Sequence, residues 1–231
     1  MRVLNSSQLS EGLAEAAQPD AASRRHAFPV RGVPWYVVQV MAGREDHARE
    51  LIAEAVKLEE KAMRERAEAE GRRPEGLPVA EEVFVPKARV GVKREGKWLP
   101  GEEVLMPGYL VAIARDPDAL VRALRRTRGF VRVVRQDNVA VPLSEQSVRW
   151  LEEQTQRGRS AVAMSEGYVE DGKLHITSGP LAGREAVIQK VNHRRKVAYL
   201  EIEAHGKKIK AQLGIKIITK RKACKKKQKA K

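Results

Sequence analysis

Apolar and polar residues alternate with changing periods along the first 150 positions of the chain. The run 35–40 is rich in aromatic and β-branched residues, which predicts a strand. After Gly43 the apolar residues from Ala48 to Leu58 recur at helical spacing, which predicts an amphipathic helix lying on a sheet. Its continuation, 57–73, is mostly charged residues and alanine, and this pattern fits either a helix or a loop.

Strand and helix patterns keep alternating after this stretch. The most apolar run is 105–113, where Pro107-Gly108 marks a bend or the start of the strand, because proline cannot donate to a sheet hydrogen bond. Asp116 before Pro117 is typical of a helix start. The remaining elements are strands at 83–85 and 130–134, a hairpin at 90–98 around Glu95-Gly96, and a last helix that begins at Ser144. The irregular order favours an α+β fold, with an N-terminal antiparallel sheet flanked by helices.

The residue pattern changes again from Gly172 onward, where short β-branched runs follow one another closely. Turn signals separate five predicted strands: 174–177, 186–191, 197–204, 207–213 and 216–219. Strands of this length and spacing are typical of a small five-stranded β-barrel.

These patterns divide the chain into two domains with flanking segments. The predicted parts are a disordered N-terminal extension (1–33), an α+β domain (34–151), a polar linker (152–166), a β-barrel domain (167–220) and a basic disordered tail (221–231).

The net charge of +15 is spread unevenly and points to a polyanionic partner. The segment 220–231 carries eight positive residues and no acid, and 87–135 carries twelve Lys and Arg against five acids. Nucleic acid is therefore the first candidate, while a solvated, disordered end is the alternative for the tail.

Other classes of protein are disfavoured by what the chain contains. Its five histidines are scattered, with no nucleophile–base spacing, metal-ligand pairs or phosphate-loop glycines, so we expect no enzyme, no metal and no cofactor. No apolar run approaches the roughly 20 residues that cross a bilayer, and the start of the chain lacks a signal-peptide pattern. With the single Cys224, these features predict a cytoplasmic protein. We expect it to be a monomer.

Four motifs appear in a fixed order along this pattern. They are Trp-Tyr-Val-Val-Gln at 35–39 followed by Gly43, Phe-Val-Pro at 84–86, Met-Pro-Gly-Tyr-Leu at 106–110, and Thr-Ser-Gly-Pro-Leu-Ala-Gly at 177–183. Together they resemble the NusG family of transcription elongation factors, which joins an NGN domain to a KOW β-barrel. Met106 stands where the family has Phe, and Ala186 where the KOW strand usually has Gly. The stretch 191–218 is most similar to the specialised LoaP-type antiterminators.

The resemblance implies a role in transcription. NusG proteins pack an apolar pocket onto the clamp helices of bacterial RNA polymerase and favour processive elongation, and LoaP-type members are recruited by nascent RNA to read through terminators. Carried over by motif, the polymerase-binding residues are Tyr36, Met106, Pro107 and Tyr109, of which some are instead ordinary core on the alternative interpretation.

A basic set is the predicted RNA-binding surface: Lys87, Arg89, Lys93, Arg94, Arg122, Arg125, Arg126 and Arg128. The three arginines at 122, 125 and 126 are spaced to share a helical face. Affinity for DNA near the elongation bubble, or a merely solvated face, is the alternative.

The C-terminal domain carries the predicted partner-binding loop, Ala204-His205-Gly206-Lys207. In general NusG proteins two bulky apolar residues precede this glycine and engage Rho or a ribosomal protein, so Ala and His argue against both partners. A housekeeping NusG-type factor and a ribosomal RNA-binding KOW protein are the competing hypotheses. The β-branched runs favour a barrel that stays β and does not inhibit the N-terminal domain.

Overall fold

The computed structural model describes residues 32–72, 78–170, 172–204 and 207–218. The predicted basic tail and all but the last two residues of the predicted N-terminal extension lie outside the described residues. The first domain contains β1 Trp35–Val40, α1 Glu45–Ala69, β2 Glu82–Phe84, β3 Lys87–Arg94, β4 Lys97–Val104, β5 Tyr109–Ile113, α2 Pro117–Arg125, β6 Val131–Val133, β7 Arg135–Gln136, β8 Val139–Ala140 and α3 Glu145–Thr155.

The N-terminal sheet is antiparallel, with strand order β2-β5-β1-β6. Alternate residues of its two central strands face opposite sides, because side chains alternate along a strand. Tyr36 and Leu110 belong to a buried cluster with α1 and α2, whereas Val37 and Val111 belong to a second cluster on the other face. Both faces are covered, which explains why the sequence of β5 is apolar without interruption.

Helix α1 packs Ala48, Ile52 and Val56 into the core and continues through the charged stretch as far as Ala69. Of the stretch 57–73, which fitted either a helix or a loop, residues 57–69 are therefore helical. Glu60 explains part of this extension, since its Oε1 accepts a hydrogen bond of 3.1 Å from the backbone N–H of Val79.

Strands β3 and β4 form the hairpin that was predicted around Glu95-Gly96. Both turn residues have positive φ, 48° and 79°, as the two-residue turns that suit the twist of a hairpin require. The hairpin is longer than predicted and runs from Lys87 to Val104.

The C-terminal domain contains β9 Ser165–Glu170, β10 Lys173–Ser178, a 3₁₀ turn Glu185–Val187, β11 Ile188–Asn192, β12 Val197–Ala204 and β13 Lys207–Ile217. Their order is β10-β9-β13-β12-β11, with β13 parallel to β9 and the other pairs antiparallel. The α+β class and five C-terminal strands are confirmed.

The sequence predicted a closed barrel, and the structure corrects this expectation. Among the described residues β10 and β11 do not pair with each other, and the five strands form a curled half-barrel. The 3₁₀ turn occupies the start of the predicted strand 186–191, and Glu185 Oε1 accepts a hydrogen bond of 3.2 Å from the N–H of Ile176. A side chain thus takes the place of a strand partner on β10.

Two strand boundaries also differ from the prediction. The polar strand β9 was not predicted, and the two runs 207–213 and 216–219 are one strand as far as Ile217. The predicted linker 152–166 is packed on the domains it joins. Thr155 and Val162 have no exposed surface, and Val162 exchanges two backbone hydrogen bonds with β3.

Candidate functional site

The Pro107-Gly108 pair forms a tight turn at the N-terminal end of β5. The N–H of Tyr109 donates to the carbonyl oxygen of Met106 at 3.0 Å, and Gly108 has a φ of 83°, which suits the third position of a type II turn. Glu45, the first residue of α1, holds this turn in place through hydrogen bonds. Its Oε1 accepts hydrogen bonds from the N–H of Gly108 at 2.7 Å and of Gly43 at 3.0 Å.

The four predicted polymerase-binding residues fall into two groups. Pro107 is exposed and Tyr109 is half-buried on the turn. Met106 is buried, and Tyr36 is only 1% exposed on the side of the sheet that faces the helices. Burial, together with the nearby charges of Asp116 and Asp118, raises the pKa of Tyr36 to about 12, so its phenol stays neutral at physiological pH.

Two exposed apolar residues that the sequence analysis did not select lie at the same end of the sheet. Met41 follows the last residue of β1 and is 57% exposed, and Phe130 precedes β6 and is 40% exposed. The register places Met41 between the Pro107-Gly108 turn and Phe130, since Val40 donates to Gly108 on one side of β1 and pairs with Val131 on the other. We call Met41, Pro107, Tyr109 and Phe130 the sheet-end patch.

The patch could be found only from strand register, because its members are far apart in the sequence. A cation borders it, since the guanidinium of Arg132 lies 4.5 Å from the ring centroid of Phe130.

Three of the eight predicted basic residues are engaged within the protein. Arg122 Nε donates to Glu59 Oε1 at 3.0 Å, and Arg126 Nη2 lies 3.0 Å from Glu59 Oε2 without hydrogen-bond geometry. Lys87 pairs with Asp46 at 3.2 Å. The prediction that the helix arginines act together on RNA therefore has a structural competitor, because two of them neutralise a carboxylate with no exposed surface.

The other five predicted basic residues are exposed and form no ion pair with any described residue. They are Arg89, Lys93, Arg94, Arg125 and Arg128. The first three are on the β3–β4 hairpin, and the structure does not join them to α2 by any hydrogen bond or ion pair between described side chains.

The hairpin contacts the turn between β11 and β12. The N–H of Gly91 donates to the carbonyl oxygen of Arg195 at 3.2 Å, and Arg195 Nη2 lies 2.5 and 2.6 Å from the two carboxylate oxygens of Glu103. Burial by itself lowers the pKa of Arg195, but the hydrogen bond and charge of Glu103 outweigh that effect and raise it. Arg195 is therefore a fixed cation between the two domains.

The predicted partner-binding loop follows the end of β12 that is opposite to the 193–196 turn. Ala204 ends β12, Lys207 begins β13, and the two residues pair across the strands. His205 and Gly206 lie outside the described residues. The described helices include none long and apolar enough to span a membrane, and no cluster of described side chains has the composition of a metal site.

Comparison with known proteins gives the decisive observation. A family described as "Transcription termination factor nusG" matches residues 33–152, from the residue before Pro34 to the middle of α3. The chain belongs to the NusG family. The sheet-end patch and the β3–β4 hairpin both lie inside the matched region, and a NusG-family protein is a transcription factor and not an enzyme.

Solved structures similar to this NusG-family chain include two with low identity. One is described as "Domain interaction in Thermotoga maritima NusG", with 19% identity, a TM-score of 0.44, and coverage of 78% of this chain and 93% of the other. The second is described as "Crystal Structure of MjSpt4:Spt5 complex conformation B", with 15% identity, a TM-score of 0.23, and coverage of 78% and 91%. No curated protein sequence gives a match. Neither TM-score reaches 0.5, so the family assignment rests on residues 33–152.

Proposed function

We propose that this NusG-family protein binds bacterial RNA polymerase through the sheet-end patch, promotes processive elongation and terminator readthrough, and is recruited by nascent RNA. The observation that carries the proposal is the exposure of Met41 and Phe130 at the same end of the sheet as the Pro107-Gly108 turn, within the residues that match the family. Large apolar side chains exposed side by side mark interaction surfaces more often than isolated ones do. The resemblance to NusG proteins implies that this surface contacts the clamp helices of the polymerase.

The mechanism needs no bond-breaking chemistry. A protein that binds the closed, elongating polymerase better than the paused one shifts the equilibrium between them by its difference in affinity. The rigid support of the turn by Glu45 favours this role, because the patch is then held in place before binding and less conformational entropy is lost.

The patch is open while the two domains are in contact. The C-terminal domain packs on the hairpin and on the side of the N-terminal sheet that includes the buried Met106, yet Met41, Pro107 and Phe130 stay exposed. This arrangement supports the expectation that the C-terminal domain does not inhibit polymerase binding.

The proposal is tested by single-round transcription with purified bacterial polymerase and an intrinsic terminator, with and without the native upstream leader. We expect readthrough to require the leader. An equal effect on both templates would identify a general NusG-type factor instead. No effect on either, with intact binding to ribosomal RNA, would favour the ribosomal alternative.

Substitutions test the sheet-end patch in the same reactions. We expect Met41→Lys to weaken polymerase binding by roughly tenfold or more, because it places a charge in an apolar contact. Val139→Lys is the matched control, since Val139 is 51% exposed and lies outside the patch. Equal binding by both variants would show that polymerase contacts another surface.

A further inference from the structure

We propose that the β3–β4 hairpin and the 193–196 turn together form a binding site for unpaired nucleotides, with the Trp98 ring as the surface on which a base stacks. The inference rests on the proposed recruitment by nucleic acid and identifies the surface that performs it. It adds residues of the C-terminal domain to a site that the sequence placed only in the N-terminal domain.

The two elements are distant in sequence and are held together by specific contacts. Asn192 Oδ1 accepts hydrogen bonds from the N–H groups of Arg194 and Arg195, at 3.1 and 3.0 Å, and so shapes the turn. Arg195 then fixes the turn to the hairpin through Glu103 and Gly91. A side chain at Gly91 would place a Cβ 2.9 Å from the Arg195 carbonyl oxygen, so glycine permits this approach.

Trp98 stands at this junction and is partly exposed. It is the cross-strand partner of Lys93, and Cε3 of its ring is 3.6 Å from where a Cβ of Gly91 would be. Its exposure is 37%, whereas Trp35 is buried and Trp150 is half-buried beside Arg184. An exposed indole flanked by cations is the combination that single-stranded nucleic acid binding uses.

Both of the elements that meet at Trp98 are rich in exposed cations, and Lys93 is the one directly opposite Trp98 across the hairpin. The exposed basic residues are Lys93, Arg94 and Lys97 on the hairpin and Arg194 and Lys196 on the turn, and His193 is exposed beside them. The nearby acids are fewer. Glu95 and Glu102 are exposed, and the charge of Glu103 is taken up by Arg195. The surplus of positive charge can hold phosphates on each side of a stacked base.

This chemistry selects unpaired nucleotides over a regular duplex, in which the faces of the bases are already stacked. It is shared by RNA and by single-stranded DNA, since both present a base on a phosphate backbone. The test therefore uses both an RNA and a single-stranded DNA oligonucleotide.

The first experiment measures binding of the full chain to a fluorescent 12-nucleotide oligouridine, the matching oligothymidine and a blunt RNA duplex, by anisotropy. We expect Trp98→Ala to weaken single-strand binding by roughly 5- to 150-fold and Trp98→Phe to retain most of it, with little effect on the duplex. Val169→Ala, which changes an exposed apolar residue of β9, should leave all affinities unchanged. Equal affinity of Trp98→Ala and the unchanged protein would overturn the site.

The contribution of the turn is tested by two charge-matched variants. Glu103→Gln weakens the contact that fixes Arg195, whereas Glu102→Gln removes the same charge next to it without touching the turn. We expect Glu103→Gln to weaken oligonucleotide binding and Glu102→Gln to leave it equal or tighter. Tighter binding in both variants would show that only net charge matters and would contradict a composite site.

Salt dependence gives an independent readout. For Arg194→Gln with Lys196→Gln, the slope of log affinity against log salt should fall by about 0.7 per cation removed. Lys173→Gln, an exposed lysine on β10, should leave the slope unchanged.

Transcription separates this inference from the proposed function. If Trp98→Ala loses leader-dependent readthrough but still binds polymerase, both hold. If Trp98→Ala binds oligonucleotides normally and the unchanged protein still reads through with the leader, the site is wrong and the function stands. If the unchanged protein shows no readthrough, the proposed function fails whatever the oligonucleotides show.

Discussion

Glu59 is a residue of α1 that has no exposed surface and contacts two arginines at the end of α2, which are themselves about half exposed. Losing the ion pair therefore costs the carboxylate more than it costs either arginine. An arginine that loses Glu59 can be solvated in place, but the carboxylate cannot. The sequence could not reveal this pairing, because Glu59 precedes Arg122 by 63 positions and nothing in either segment indicates the partner.

We expect Arg122→Ala to lower the free energy of unfolding by about 1–3 kcal/mol, since Arg126 still neutralises part of the buried charge. Arg125→Ala is the control on the same helix, because Arg125 has no ion pair with a described residue, and it should change stability by less than about 0.5 kcal/mol. Urea unfolding at neutral pH measures both. Equal effects would mean that the Glu59 pair does not stabilise the domain.

Residue placement was harder to predict than residue chemistry. Tyr36 belongs to a motif that implies a polymerase contact, yet strand alternation directs it to the side covered by helices. Met41 and Phe130 carry no motif, and only the register of β1 with β6 shows that they are neighbours.

Secondary-structure elements followed local patterns closely where the pattern was strong. The hairpin turn needed positive φ at Glu95-Gly96, and the helix start needed the Asp116 cap, whose Oδ1 accepts from the N–H groups of Asp118 and Ala119. The charged part of α1 had no such local signal, and contacts with distant segments keep it helical. Strand β9 was missed because its residues Ser165 and Gly167 have low strand propensity.

The start of α1 allows a test at the scale of the element. Glu45 accepts hydrogen bonds from two turns, so Glu45→Ala should lower the free energy of unfolding by about 1–3 kcal/mol, and Glu45→Gln by less because its amide oxygen can still accept. Asp46→Ala, next to it, removes a solvated pair with Lys87 and one acid of the first helical turn, and should cost less than about 1 kcal/mol.

Chemical denaturation gives these stabilities, and the exchange rate of the Gly108 amide shows whether the turn itself opens. Unchanged protection of that amide in Glu45→Ala would contradict the proposed support of the turn.

The two domains are joined into one molecule by more than the chain between them. Gln212 on β13 donates its backbone N–H to Leu105 and its side-chain amide to Val104, at 2.8 and 2.9 Å. A single buried cluster includes Val37 and Val111 from the first sheet and Leu200 and Leu213 from the second. Apolar patterns predicted that each sheet has a buried face, but such patterns do not name the surface that covers it.

Gly214 is the position where this contact is closest. A Cβ there would overlap the carbonyl oxygen of Arg89, and a backbone atom cannot turn aside as a side chain can. We expect Gly214→Ala to cost roughly 1–3 kcal/mol and to speed hydrogen exchange at the amides of Gly91 and Gln212.

Lys216→Ala on the same strand is the control, because it removes only an exposed ion pair with Glu166. If Gly214→Ala left both amides as protected as in the unchanged protein, the contact between β3 and β13 would not hold the domains together.

The contact between Val104 and Gln212 spans 108 positions of the chain. A ribosome adds roughly 5–20 residues per second, so the hairpin leaves the exit tunnel about 5–20 s before the strand that covers it. During that interval the N-terminal domain must persist with one apolar face in water. A nascent chain at this stage is a natural client for chaperones, and a pause in translation before β13 would lengthen its exposure.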